Sequence, residues 1–114
     1  MTTLYGISNC DSVAKAKKWL KQADIEFNFV DFRKDGIHSE QVSHWTNEVG
    51  IEKLLNKRGT TWRNLTDAQK ALESIDELVR LMTENPTLIK RPVLDAQGHI
   101  EVGFKAELYE SILQ

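Results

Sequence analysis

The chain is 114 residues long, 40% hydrophobic and 28% charged, with 15 Lys and Arg against 17 Asp and Glu for a net charge of -2. That length suits one domain, 1–114, burying about two-thirds of its unfolded surface, and the near-neutral balance excludes a global field that would draw it onto nucleic acid or a membrane. A single cysteine excludes an internal disulfide, and the scattered His38, His44 and His99 offer no metal-ligand spacing.

Strand and helix signals alternate along the chain. Thr3-Leu4-Tyr5 reads as a first strand, and Asp11–Ala23 as a helix with Val13, Ala16, Trp19 and Leu20 on one stripe and its lysines mostly on the other face. The period-two stretch Glu26–Phe32 is a second strand, completing a βαβ unit. Helices follow over Ser39–Val49, ended by Gly50, then as short turns through Ile51–Leu65. Thr66–Leu72 is another, capped by Thr66 or Asp67 with Gln69 as partner. A further helix, Ser74–Glu84, carries Ile75, Leu78, Val79 and Met82 on one face and is stopped by Pro86. Leu88-Ile89 and Arg91–Leu94 read as a strand entry, Asp95-Ala96-Gln97-Gly98 as a hairpin turn, His99–Val102 as its return strand, and Lys105–Leu113 as a closing helix. No stretch approaches the roughly 18 apolar residues of a membrane span and no basic-then-apolar leader opens the chain, so the expected location is the cytoplasm.

Cys10 stands where the first strand turns into the first helix. There it faces unpaired backbone N–H groups and the positive end of the helix dipole, which favour thiolate over thiol. Two readings stay open from the residues alone: a nucleophile at the carboxyl end of a sheet, or a small buried side chain. Ser12 adds a hydroxyl near the sulfur or serves the helix start. Asp11 complements the dipole but opposes a neighbouring thiolate. Lys53, Lys57, Arg58 and Arg63 form a basic segment, either an anion site or a solvated loop.

The order β-α-β, helices, β-β-α is that of the thioredoxin fold, α/β with a mixed sheet, here with a helical insertion at about 37–85. In that architecture a proline opening the third strand faces the cysteine, and Pro92 is placed to be it. The segments Tyr5-Gly-Ile-Ser-Asn-Cys10-Asp, Glu84-Asn-Pro-Thr-Leu-Ile-Lys-Arg91-Pro92-Val93 and Val102-Gly-Phe-Lys105, with Trp19-Leu20 ending the lysine-rich helix, resemble the arsenate reductase (ArsC) family. Within it the nearest resemblance is to the short YffB branch, whose sister branch is the Spx regulators.

The resemblance implies that Cys10 is the nucleophile and that Arg91 lowers its pKa and holds an anion. The family's middle catalytic arginine falls on Asn56, beside Lys57 and Arg58, and its late arginine near Lys105. Lysine does not reproduce arginine's bidentate fork, so arsenate is disfavoured as substrate. The second cysteine common in Spx falls on Val13, which removes an internal redox switch. The expected activity is that of an oxidoreductase, a thiol reductase with Cys10 and Arg91 at the centre and Ser12, Lys57, Arg58, Pro92 and Lys105 as substrate contacts. No cofactor is expected to be bound; glutathione is the expected co-substrate, and glutathione or a glutaredoxin the resolving thiol. The alternative is a regulator resembling Spx that binds RNA polymerase without catalysis.

Overall fold

The computed structural model describes residues 2–114. They divide into two compact units, one made of the chain up to Gly36 together with Arg91–Gln114, the other of Ile37–Lys90.

The first unit is built on a four-stranded sheet of β1 (Thr2–Gly6), β2 (Phe27–Asp31), β3 (Val93–Ala96) and β4 (His99–Val102), in the order β2-β1-β3-β4. β1 and β2 run parallel, joined through helix α1 (Asp11–Gln22), while β3 runs antiparallel to both β1 and β4. This is the thioredoxin-like α/β arrangement. Leu4 and Leu94 face each other in the two central strands, and Val13, Ala16 and Leu20 of α1 close over them with Tyr109 of the C-terminal helix. Trp19 is half-buried at the edge of this cluster, with its ring edge-on to Tyr109 at 5.7 Å. Lys17, on the expected lysine face, lays its Nζ 3.6 Å from the centre of the Phe29 ring. This contact covers an aromatic that the sheet leaves half open.

α1 ends in a Schellman turn. The N–H of Ile25 donates to Leu20 O at 3.0 Å and that of Asp24 to Lys21 O at 3.2 Å, with Asp24 at φ 58. The β3–β4 hairpin turns on Gln97-Gly98 alone, at φ 55 and 94, so Asp95 and Ala96 belong to the strand rather than to the turn. Positive φ at both positions matches the strands' own twist, and Asp95 Oδ1 accepts the Gly98 N–H at 2.8 Å.

The second unit is helical: α2 (Ser39–Val49), α3 (Ile51–Leu54), α4 (Thr60–Arg63), α5 (Asp67–Lys70) and α6 (Ile75–Glu84), followed by a 3-10 turn over Pro86–Leu88. α2 packs along α6, with Val42 and Trp45 buried on one and Leu78, Val79, Leu81 and Met82 on the other. The Thr66/Gln69 capping box forms as expected, with bonds of 2.9 and 3.1 Å. Two expectations change. Ile75, expected on the inward face of α6, is 45% exposed, because it occupies the first helical position, before the stripe reaches α2. Leu88-Ile89 do not enter β3; they pair with the segment after α3, through a Leu55–Ile89 bridge and bonds from Asn56 N to Leu88 O (2.7 Å) and Lys90 N to Leu54 O (2.8 Å). The final helix, α7 (Ala106–Leu113), starts one residue later than expected, leaving Lys105 at its N-cap.

Candidate functional site

The register of the sheet brings the first site residues together. Tyr5 pairs with Val93, so the loop leaving the end of β1 and the segment entering β3 lie side by side at one end of the sheet. The first carries Cys10; the second carries Arg91 and Pro92, joined by a cis peptide bond. Pro92 is buried, and its carbonyl accepts the Gly103 N–H at 2.8 Å, which ties the entry of β3 to the exit of β4.

Cys10 is the N-cap residue of α1, extended at φ -107, ψ 128, with its carbonyl accepting the Ala14 N–H at 3.0 Å. It is half-buried and packs against the core of the first unit. Burial pushes the thiol pKa up. The Val13 N–H, the Arg91 guanidinium and the Ser12 N–H act against burial and hold the pKa below the ordinary thiol value. Arg91 is itself half-buried, with a buried Nε, so its charge acts on Cys10 with less screening than a surface arginine would give. What Ser12 brings to the sulfur is its backbone N–H, with the residue otherwise exposed at the first turn of α1.

Sequence reasoning missed Asp31. This carboxylate, 5% exposed at the end of β2, accepts N–H groups from Ser8 (3.3 Å), Arg33 (2.8 Å) and Lys34 (3.2 Å). Burial pushes its pKa up, but these donors and the Lys34 charge hold it below the usual carboxylate range. The bonds to Arg33 and Lys34 form a local turn that Asp-x-Arg-Lys could have signalled. The bond to Ser8 spans 23 residues and left no local trace.

Lys105 is exposed, and its carbonyl accepts the Leu108 and Tyr109 N–H groups at the start of α7. Lys57 and Arg58 are exposed in the second unit, between α3 and α4, where they line a cavity of about 460 Å³. Asn56, at the family's middle arginine position, holds the loop instead. Its Oδ1 accepts the Arg58 N–H at 3.0 Å. Arg63 is likewise turned to its own helix, with Nη2 3.3 Å from Thr60 Oγ1. Among the described residues no cluster of His, Cys, Asp or Glu is arranged to hold a metal, and no helix is long and apolar enough to cross a membrane.

The chain is similar to an uncharacterised protein of Haemophilus influenzae, with 42% identity over 113 residues covering 97% of each. It is also similar to the global transcriptional regulator Spx of Lactiplantibacillus plantarum, at 28% identity over 94% of this chain and 82% of that one. Among solved structures, the YffB protein superposes with a TM-score of 0.96 at 39% identity over the whole of both chains. An arsenate reductase (ArsC) related protein from Brucella melitensis does so with a TM-score of 0.74 at 37% identity, over 99% of this chain and 94% of that one. Residues 5–112, from the strand before Cys10 to the last turn of α7, match the ArsC family, to which this chain belongs.

Proposed function

We propose that this protein is a glutathione-dependent thiol reductase whose single nucleophile is Cys10. The observation that carries the reading is the place of the sulfur, on the N-cap residue of α1 with the Val13 and Ser12 N–H groups and the Arg91 guanidinium favouring the thiolate against burial. In the first step the Cys10 thiolate attacks one sulfur of a disulfide. A new S–S bond to Cys10 forms as the old one breaks, and the other sulfur leaves as a thiolate that takes a proton from water. No second cysteine stands in the chain. Resolution therefore falls to an external thiolate, glutathione or a glutaredoxin, which attacks the mixed disulfide, releases Cys10 as thiolate and itself ends up in the oxidised pair. Arg91 stabilises the sulfur anion at both ends of the cycle.

A glutathionylated peptide offered with glutathione tests this. The expected result is turnover in the wild-type protein, none with Cys10→Ser, and a glutathione adduct on Cys10 by mass spectrometry when glutathione is withheld. Turnover that survives Cys10→Ser, or a Cys10 that alkylates with the pH midpoint of a free thiol, overturns the reading.

The similarity to Spx favours a second reading, a regulator that binds RNA polymerase without catalysis. Val13 stands where that branch often has its second cysteine, so such a regulator would lack the internal disulfide switch. Co-purification with polymerase that persists in Cys10→Ser, together with no turnover in the wild-type protein, would select it.

A further inference from the structure

The cavity of the helical unit has a mixed lining. Leu55 and Leu78 are nearly fully buried in its wall, at 4% and 7% exposure, and the half-buried Trp62 adds an aromatic surface. Lys57, Arg58 and Lys90 also line it, against Glu52 as the one acid. These cations are partly fixed in place. Lys57 Nζ lies 5.3 Å from the centre of the Trp62 ring, Lys90 Nζ donates to Glu52 O at 3.3 Å, and Asn56 Oδ1 holds the Arg58 backbone at 3.0 Å. A volume of about 460 Å³ falls within the span of small-molecule pockets.

We propose that this cavity is a binding site for a compact carboxylate with an apolar body, of which an aromatic acid is the simplest form. The apolar wall gains from releasing water against a ring or branched chain. The excess of positive charge disfavours a neutral or cationic occupant, and the planar guanidinium of Arg58 matches a carboxylate through paired N–H donors. Inorganic phosphate would satisfy the cations and leave the wall wet. A neutral hydrocarbon would cover the wall and leave three cations without a partner anion. All of its lining residues belong to Ile37–Lys90.

Titrating the full chain with 1-naphthoate and with its neutral isostere 1-naphthamide, read by methyl NMR, tests this directly. Saturable shifts at Leu55, Leu72 and Leu78 are expected, with a Kd of about 1 mM or tighter for a probe of this size and binding about tenfold weaker for the amide. The double variant K57Q/R58Q, which changes two exposed side chains and leaves the wall intact, is expected to bring the two probes to equal affinity. Equal binding of both probes by the wild-type protein, a preference that persists in the double variant, or no movement of these methyls at several millimolar naphthoate each overturns the proposal.

Discussion

Ser8 donates its backbone N–H to the carboxylate of Asp31 at 3.3 Å, and through that bond the end of β2 holds the loop that presents Cys10 two residues later. The other Asp31 oxygen accepts from Arg33 and Lys34, so the carboxylate is a three-way anchor on the second strand's exit. Asp31→Asn keeps the shape but turns an NH2 group toward N–H donors. The expected cost is about 1–3 kcal/mol of stability, the penalty for leaving a buried donor unmatched. Because the folded pKa of Asp31 lies below the unfolded value of about 3.9, its contribution is fully present above that value. It is lost as pH falls through the folded pKa. Denaturant unfolding at a series of pH values is therefore expected to show the gap between wild type and Asp31→Asn closing in acid; a gap independent of pH would remove the carboxylate charge from the account.

Arg91→Ala is expected to raise the pH midpoint of Cys10 alkylation and slow alkylation at pH 7, with little effect on the thermal transition. Arg91→Lys is expected to fall between, since an ammonium keeps the charge without the fork. The same shift carries a stability sign. The folded thiol pKa is held below the unfolded one, so the contribution of the thiolate is present above the unfolded value of about 8.5 and lost as pH falls through the folded value. An unchanged alkylation midpoint in Arg91→Ala would detach the guanidinium from the sulfur.

Much of the fold was legible because its signals are local. Thr66 and Gln69 lie three residues apart and cap α5 by themselves, Gly98 announces its turn, and the stripe Val13, Ala16, Leu20 marks the buried face of α1. Half of the site was legible in the same way, since a cysteine at a strand-to-helix junction meets helix N–H groups wherever the helix goes. The approach of Arg91 to Cys10 is set by the pairing of Tyr5 with Val93, a register between strands 88 residues apart, and only resemblance to a family pointed to it. The bond from Ser8 to Asp31, the withdrawal of Leu88-Ile89 from β3 and the cavity beside Trp62 are likewise products of tertiary packing. Ile75 misled because an apolar residue at the right helical spacing is buried only where a neighbour lies over it.

Gly50 joins α2 to α3 at φ 88, ψ 151, a conformation open almost only to glycine, although nothing stands within 4 Å of where its Cβ would be. Strain without a clash predicts that Gly50→Ala costs about 1–3 kcal/mol, and that larger side chains cost no more than alanine. Stability measured across Gly50→Ala, Gly50→Ser and Gly50→Leu checks this; a cost growing with side-chain size would mean crowding instead.

Gly6 poses the opposite case. A Cβ there would come 2.6 Å from Val13 Cγ2, and Val13 is a buried, β-branched side chain with little freedom to yield. Gly6→Ala is expected to destabilise by about 1–3 kcal/mol through overpacking. It also reaches the site, because the Val13 N–H is the largest of the influences that lower the Cys10 pKa. Pushing Val13 outward moves that donor, so the Cys10 pKa is expected to rise in Gly6→Ala, while Val13→Ala alone, which empties the contact without displacing the helix start, leaves it lowered. Combining the two substitutions relieves the clash and is expected to restore the alkylation midpoint. The stability loss of the pair is expected to be smaller than the sum of the single losses. Additive losses with an unmoved midpoint would separate the packing of β1 on α1 from the reactivity of the thiol.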